Sequence, residues 1–111
     1  MKRESLTAML CLSLLLGGCG ASAQYVPTSN VQPKSAHAFE DVLMTYTKPA
    51  RPYINTGRID CNAKDTAKSL FLMRRRAAEI GLDGIGELYC SMNGQEQAGS
   101  CAGNGFIWRS P

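Results

Sequence analysis

From Ala63 to Ile80 the chain carries no glycine or proline, and Gly81 follows directly. Such a stretch closes as a helix: no residue inside it lacks an N–H donor or strongly favours another backbone shape, and the glycine supplies the left-handed position just past the end. Asn62 is placed as the N-cap. Asp65 stands three residues on, in the turn where a negative charge meets unpaired N–H groups. At about 100° per residue, Ala63, Ala67, Leu70, Phe71, Met73, Ala77, Ala78 and Ile80 share one broad apolar arc. Lys64, Asp65, Lys68, Arg75, Arg76 and Glu79 fall opposite, with Leu72 on that polar side as a single exposed leucine.

The segments around this helix read as strands. Val42–Thr47 is β-prone and is ended by Lys48-Pro49-Ala50-Arg51-Pro52, although Phe39, Val42, Leu43 and Tyr46 would also share a helical face. Tyr53–Ile59 is a second strand running on to Cys61, with Gly57 marking a bulge or a close backbone approach. Ile85–Cys90 is a third and Gly103–Arg109 a fourth, separated by a polar loop from Ser91 to Ser100. The elements predict an α+β fold, a small mixed sheet of three to four strands with one helix packed on one face. The strand–helix–strand order implies parallel pairing of the second and third strands through a right-handed crossover. The last two strands pair antiparallel.

The N-terminus reads as an address. A weakly basic start, Met1 to Ser5, precedes Leu6–Leu16, an apolar run of 11 residues. As a helix it spans roughly 16 Å, half a bilayer core, which suits a signal peptide rather than a permanent span. Leu16-Gly17-Gly18-Cys19 comes next and resembles the bacterial lipobox. That resemblance implies cleavage before Cys19, a diacylglycerol thioether on its sulfur and an acyl group on its new amine. Several chains anchor stably where one binds only marginally. Gly20, in place of the Asp that commonly retains enterobacterial-type lipoproteins in the inner membrane, points to the outer membrane, facing the periplasm. The competing pattern Ala21-Ser22-Ala23 would instead release a soluble periplasmic protein starting at Gln24. Residues 1–18 are thus expected as the lipoprotein signal peptide, 19–41 as the lipidated cysteine and a flexible Ala-, Ser-, Gln- and Pro-rich tether, and 42–111 as the periplasmic domain.

Three cysteines then remain, Cys61, Cys90 and Cys101, in an oxidising compartment where a disulfide is expected. Three single bridges are open to them. An antiparallel hairpin brings the end of the strand at Cys90 to the start of the strand after Cys101, whereas a bridge from Cys61 demands a particular sheet order.

Val42-Leu43-Met44-Thr45-Tyr46, Pro52-Tyr53, Gly57-Arg58-Ile59 before Cys61, and Arg74-Arg75-Arg76-Ala77-Ala78 form one set of anchors. Gly81-Leu82-Asp83-Gly84-Ile85, Tyr89-Cys90 and Cys101-Ala102-Gly103-Asn104-Gly105 complete it. Together they resemble, over about residues 42–109, the globular domain of the Rcs stress-sensor lipoproteins of enterobacteria. They are also similar to the wider group of small lipid-anchored β-α-β-β domains, some labelled heavy-metal-binding. The resemblance implies a disulfide-stapled, non-enzymatic domain on an outer-membrane anchor that acts through contacts with other envelope proteins. It also implies the bridge Cys90–Cys101 with Cys61 reduced, because the Rcs-type domain has two disulfides and this chain lacks the fourth cysteine. The tether here is shorter and has fewer prolines, which sets a distant inner-membrane partner out of easy reach.

Read from the residues, the chemistry is sparse. Cys61, Cys90, Cys101 and His37 could be written as a Cys3His set, but the spacings of 29 and 11 match no zinc module, and no metal or other cofactor is expected. The lone His37 lies in the tether as a solvated side chain, too far along the chain to serve a cysteine nucleophile, so no catalytic residue is assigned. A net charge of +3 gives no footprint for nucleic acid. Arg74, Arg75 and Arg76 are the candidate contact residues for a partner or for lipid headgroups. Arg74 lies at the edge of the apolar arc, where its stem can pack and its head reach water. An envelope protein with a purely structural role, or a metal-binding one, are the alternatives to a contact and stress-sensing domain.

Overall fold

A computed structural model of the protein describes residues 22–33, 35–91 and 99–110. The apolar run, Cys19 and most of the loop between Ser91 and Ser100 lie outside the described residues. In chain order the elements are β1 (Gln24–Pro27), a 3-10 turn (Phe39–Asp41), β2 (Leu43–Met44), β3 (Tyr53–Asn62), α1 (Thr66–Ile80), β4 (Gly84–Ser91) and β5 (Ser100–Trp108). One helix lies on a mixed five-stranded sheet of order β1-β3-β5-β4-β2. The fold is α+β as expected, with five strands in place of three to four.

The additional strand comes from the expected tether. Gln24–Pro27 pairs antiparallel with β3, Tyr25 opposite Ile59 and Pro27 opposite Gly57. What recruits it is a contact made far along the chain. The Tyr25 hydroxyl donates to Thr56 Oγ1 at 2.8 Å, and Thr56, itself fully buried, donates to the Gly105 carbonyl at 3.3 Å. Gly57 leaves the room. A Cβ there would stand 2.5 Å from the Val26 carbonyl oxygen and 2.7 Å from the Tyr25 ring, so β1 can close only on a glycine. The β3–β5 register also shifts between Asn55 and Gly57, so the bulge and the close approach coincide. Gly57→Ala is therefore expected to cost about 1–3 kcal/mol and to expose Tyr25. Denaturant titration followed by tyrosine fluorescence checks it.

β5 corrects the expected topology. It runs antiparallel to both β3 and β4 and lies between them. The two strands joined by the helix are thus parallel in direction, as the crossover rule requires, but are not partners, because the last strand inserts at the centre. The antiparallel pairing of the last two strands holds. The strand expected over Val42–Thr47 shortens to Leu43–Met44, paired parallel with β4 at the sheet edge, and Val42 turns inward from the 3-10 turn.

The helix starts later than expected. β3 continues to Asn62, and the Ala63 N–H is taken by the Gly99 carbonyl at 3.1 Å, so the chain is still paired on the sheet side at both residues. Asp65 caps instead, its Oδ1 accepting from the Lys68 N–H at 2.7 Å. Gly81 ends the helix at φ 98°, its N–H returned to the Ala77 carbonyl. Ser69, Met73 and Ala77, spaced by four, are all fully buried. With that stripe inward, Leu72 on one flank is 5% exposed and Phe71 on the other is 44% exposed, the reverse of the expected assignment. The core beneath includes Ile59, Leu82, Ile85 and Val42.

Candidate functional site

The cysteines form one row across the sheet. Cys61 on β3 is the register partner of Cys101 on β5, and Cys101 is the register partner of Cys90 on β4. Cys90 and Cys101 are joined, their Cα atoms 4.0 Å apart, and Cys61 is a buried free thiol. Burial pushes the Cys61 thiol above its ordinary value of 9.0, against a partial lowering by the Ser69 hydroxyl. Ser69 also bonds the Gly99 carbonyl and lies 3.4 Å from the Cys61 carbonyl, tying the helix start to the ends of β3 and β5. A thiol that keeps its proton is a poor nucleophile. Maleimide labelling of Cys61 at pH 7 is expected to run roughly a hundredfold slower than in denaturant, as for a site that reacts only through opening. The sign of the pH effect follows from the raised value. The folded state holds the proton longer, so this stabilisation is full below the free thiol's 9.0 and is lost as pH rises through the higher folded value. Cys61→Ala should remove that alkaline loss, read as urea midpoints from pH 8 to 10.

The three arginines do not form one ridge. Arg76 turns to Glu79 on its own helix, 3.5 Å away and well exposed, a pair that contributes little. Arg74 and Arg75 turn to aromatic rings: the Arg74 guanidinium stands 4.8 Å from the Phe39 ring centroid, and that of Arg75 lies 5.7 Å from Phe71. Lys68 joins them, its ammonium 5.7 Å from the same Phe71 ring. Phe39 and Phe71 pack at 5.3 Å between centroids, which seats the 3-10 turn on the helix.

Below these rings runs an apolar groove of about 360 Å³ between the helix and the β2 edge. Met44, Tyr46, Leu70, Phe71 and Leu88 line it, with Arg74 at its rim. Tyr46 is 64% exposed and Phe71 44%, so two large rings at one groove face water. The sequence arc marked Phe71 as core. The only signal for its actual place was its spacing of three to four residues from Lys68, Arg74 and Arg75, which puts cations beside it on a helix.

A second cleft, about 520 Å³, lies at the C-terminal end of the helix. His37, expected to be solvated, lines it and holds Asp83 Oδ1 at 2.9 Å through Nε2, while Asp83 Oδ2 accepts from the Trp108 N–H at 2.7 Å. The His37 N–H donates to the Ala78 carbonyl, so this segment is laid along the helix. Arg51 stacks over Trp108, 4.3 Å from the ring centroid. These contacts bind the segment before β2 and the end of β5 to one corner. Nothing in the sequence announced them, since each joins residues far apart in the chain. Among the described residues no cluster of three or more His, Cys, Asp or Glu side chains could hold a metal ion. No described helix is long and apolar enough to cross a membrane.

No family model matches the sequence, and no curated protein matches it. Among solved structures the chain is similar to the crystal structure of a Francisella virulence factor, FvfA, in its orthorhombic form. The TM-score is 0.54 at 17% identity, over 81% of this chain and 99% of that one. At that identity the likeness is one of fold.

Proposed function

We propose that the chain is a lipid-anchored protein of the bacterial envelope, held by acylated Cys19 in the outer membrane and facing the periplasm. Its domain acts there by contact with other envelope proteins, with no catalysis of its own. The observation that carries the contact reading is the groove: Tyr46 and Phe71 stay in water beside an apolar floor, although the same helix buries Leu72 and Met73. Leu16-Gly17-Gly18-Cys19 after an 11-residue apolar run supports the anchor, and the resemblance to the Rcs-type sensors supports envelope-stress reporting as the use of the contact. FvfA, a virulence factor, has the same fold.

A photo-reactive phenylalanine analogue at position 71 of the full chain, irradiated in intact cells, tests this reading. It should give a discrete adduct with an envelope protein that is lost in Cys19→Ala. The analogue at position 58, exposed on β3 and outside the groove lining, should give none. Equal yields from both positions, or no adduct from either, would contradict a contact function and leave a structural lipoprotein.

A further inference from the structure

Resting on the contact reading, we propose that the groove takes an acidic, amphipathic segment of a protein partner: apolar side chains into the floor, Asp or Glu against the rim. The floor sets the first requirement. Met44, Tyr46, Leu70, Phe71 and Leu88 offer no polar side chain apart from the Tyr46 hydroxyl, so what enters must be apolar. The rim sets the second. Lys68, Arg74 and Arg75 converge on Phe39 and Phe71, and among the described residues none of the three forms an ion pair. Glu40 and Asp41 occupy the adjoining 3-10 turn, yet neither pairs with them.

Arg74 carries the strongest mark. Among the described residues its Nε–H is buried without an acceptor, and its one hydrogen bond is from Nη2 to the Glu40 carbonyl at 3.3 Å. A half-buried guanidinium met by one carbonyl and one ring has unused donors, and a carboxylate is the group whose geometry satisfies them in pairs. A lipid headgroup would meet the charges equally well but has nothing to place on Phe71 and Tyr46, whereas an amphipathic protein segment satisfies floor and rim together.

The test uses the adduct formed from position 71 in the full, anchored chain. Lys68→Glu with Arg75→Glu reverses two exposed rim charges, and its fold is checked by thermal melting. Arg58→Glu with Arg109→Glu, exposed on β3 and just after β5, makes the same change in net charge away from the groove. The rim variant should lose roughly tenfold in adduct yield, as expected for two reversed interfacial charges, and the control less than about twofold. Peptide mapping should place the crosslink beside Asp or Glu flanking apolar residues. Equal losses in the two variants, or a crosslinked segment without acidic residues, would overturn this proposal while leaving contact intact. Adducts to lipid alone would also overturn it. No adduct in the unmodified rim background would defeat the contact reading itself.

Discussion

Cys101→Ala is expected to be the most damaging single cysteine change, and Cys90→Ala distinctly milder, although both break the same bridge. The bridge joins residues 11 apart, and closing so small a ring stabilises by about 3 kcal/mol in the chain-entropy model. Much of the net stability of so small a domain is of that size. The asymmetry comes from the row of three. With Cys90 gone, Cys61 and Cys101 remain direct cross-strand neighbours on β3 and β5, where opposite residues present their side chains on one face. They can be oxidised to a replacement bridge spanning about 40 residues, worth about 4 kcal/mol in the same model. With Cys101 gone, Cys61 and Cys90 sit on strands separated by β5, and no bridge can form. Urea midpoints should rank native and Cys61→Ala highest, Cys90→Ala near them, and Cys101→Ala lowest. Cys61→Ala with Cys90→Ala should fall to the Cys101→Ala level. Non-reducing peptide mapping of Cys90→Ala should find Cys61 linked to Cys101. Equal loss in the two single variants, with free thiols in both, would refute the row as a shared partner set.

Features set by neighbouring residues were legible in the sequence. Gly81 announced the helix end, Gly57 the bulge and close approach, and Cys90 with Cys101 a hairpin staple, because each depends on backbone freedom or on strand ends joined by a single loop. Features set by distant partners were not. Gln24–Pro27 reads as linker, since a proline and small polar neighbours surround it; Tyr25 becomes a strand residue only when Thr56 and Gly57 receive it. The crossover rule fixes the direction of β3 and β4 but not whether another strand enters between them, and β5 does. The groove was half visible. Arg74 and Arg75 were singled out as contact residues, but Phe71 was assigned to the core, because a broad apolar arc does not reveal which 100° of it faces the sheet. Arg75 and Arg76 both fall opposite the apolar arc, but that polar side is broad: Arg75 turns to Phe71 and Arg76 to Glu79.

If Cys19 carries two ester-linked chains and an amide-linked one, its partition into the bilayer is effectively permanent, since each buried methylene adds about 0.8 kcal/mol and even one chain binds measurably. Cys19→Ala should therefore remove the protein from the membrane pellet almost completely, and abolish fatty-acid labelling. Gly20→Asp should leave labelling intact and shift the protein toward the inner membrane. The domain's fold should be indifferent to both changes, since β1 begins only at Gln24.

Lipid anchoring at Cys19 is read off the intact mass of the mature protein isolated from separated envelope fractions. The expected result is a chain beginning at Cys19, heavier than its peptide mass by a diacylglyceryl and an acyl group, in the outer-membrane fraction. An unmodified chain beginning at Gln24, in the soluble periplasmic fraction, would contradict it.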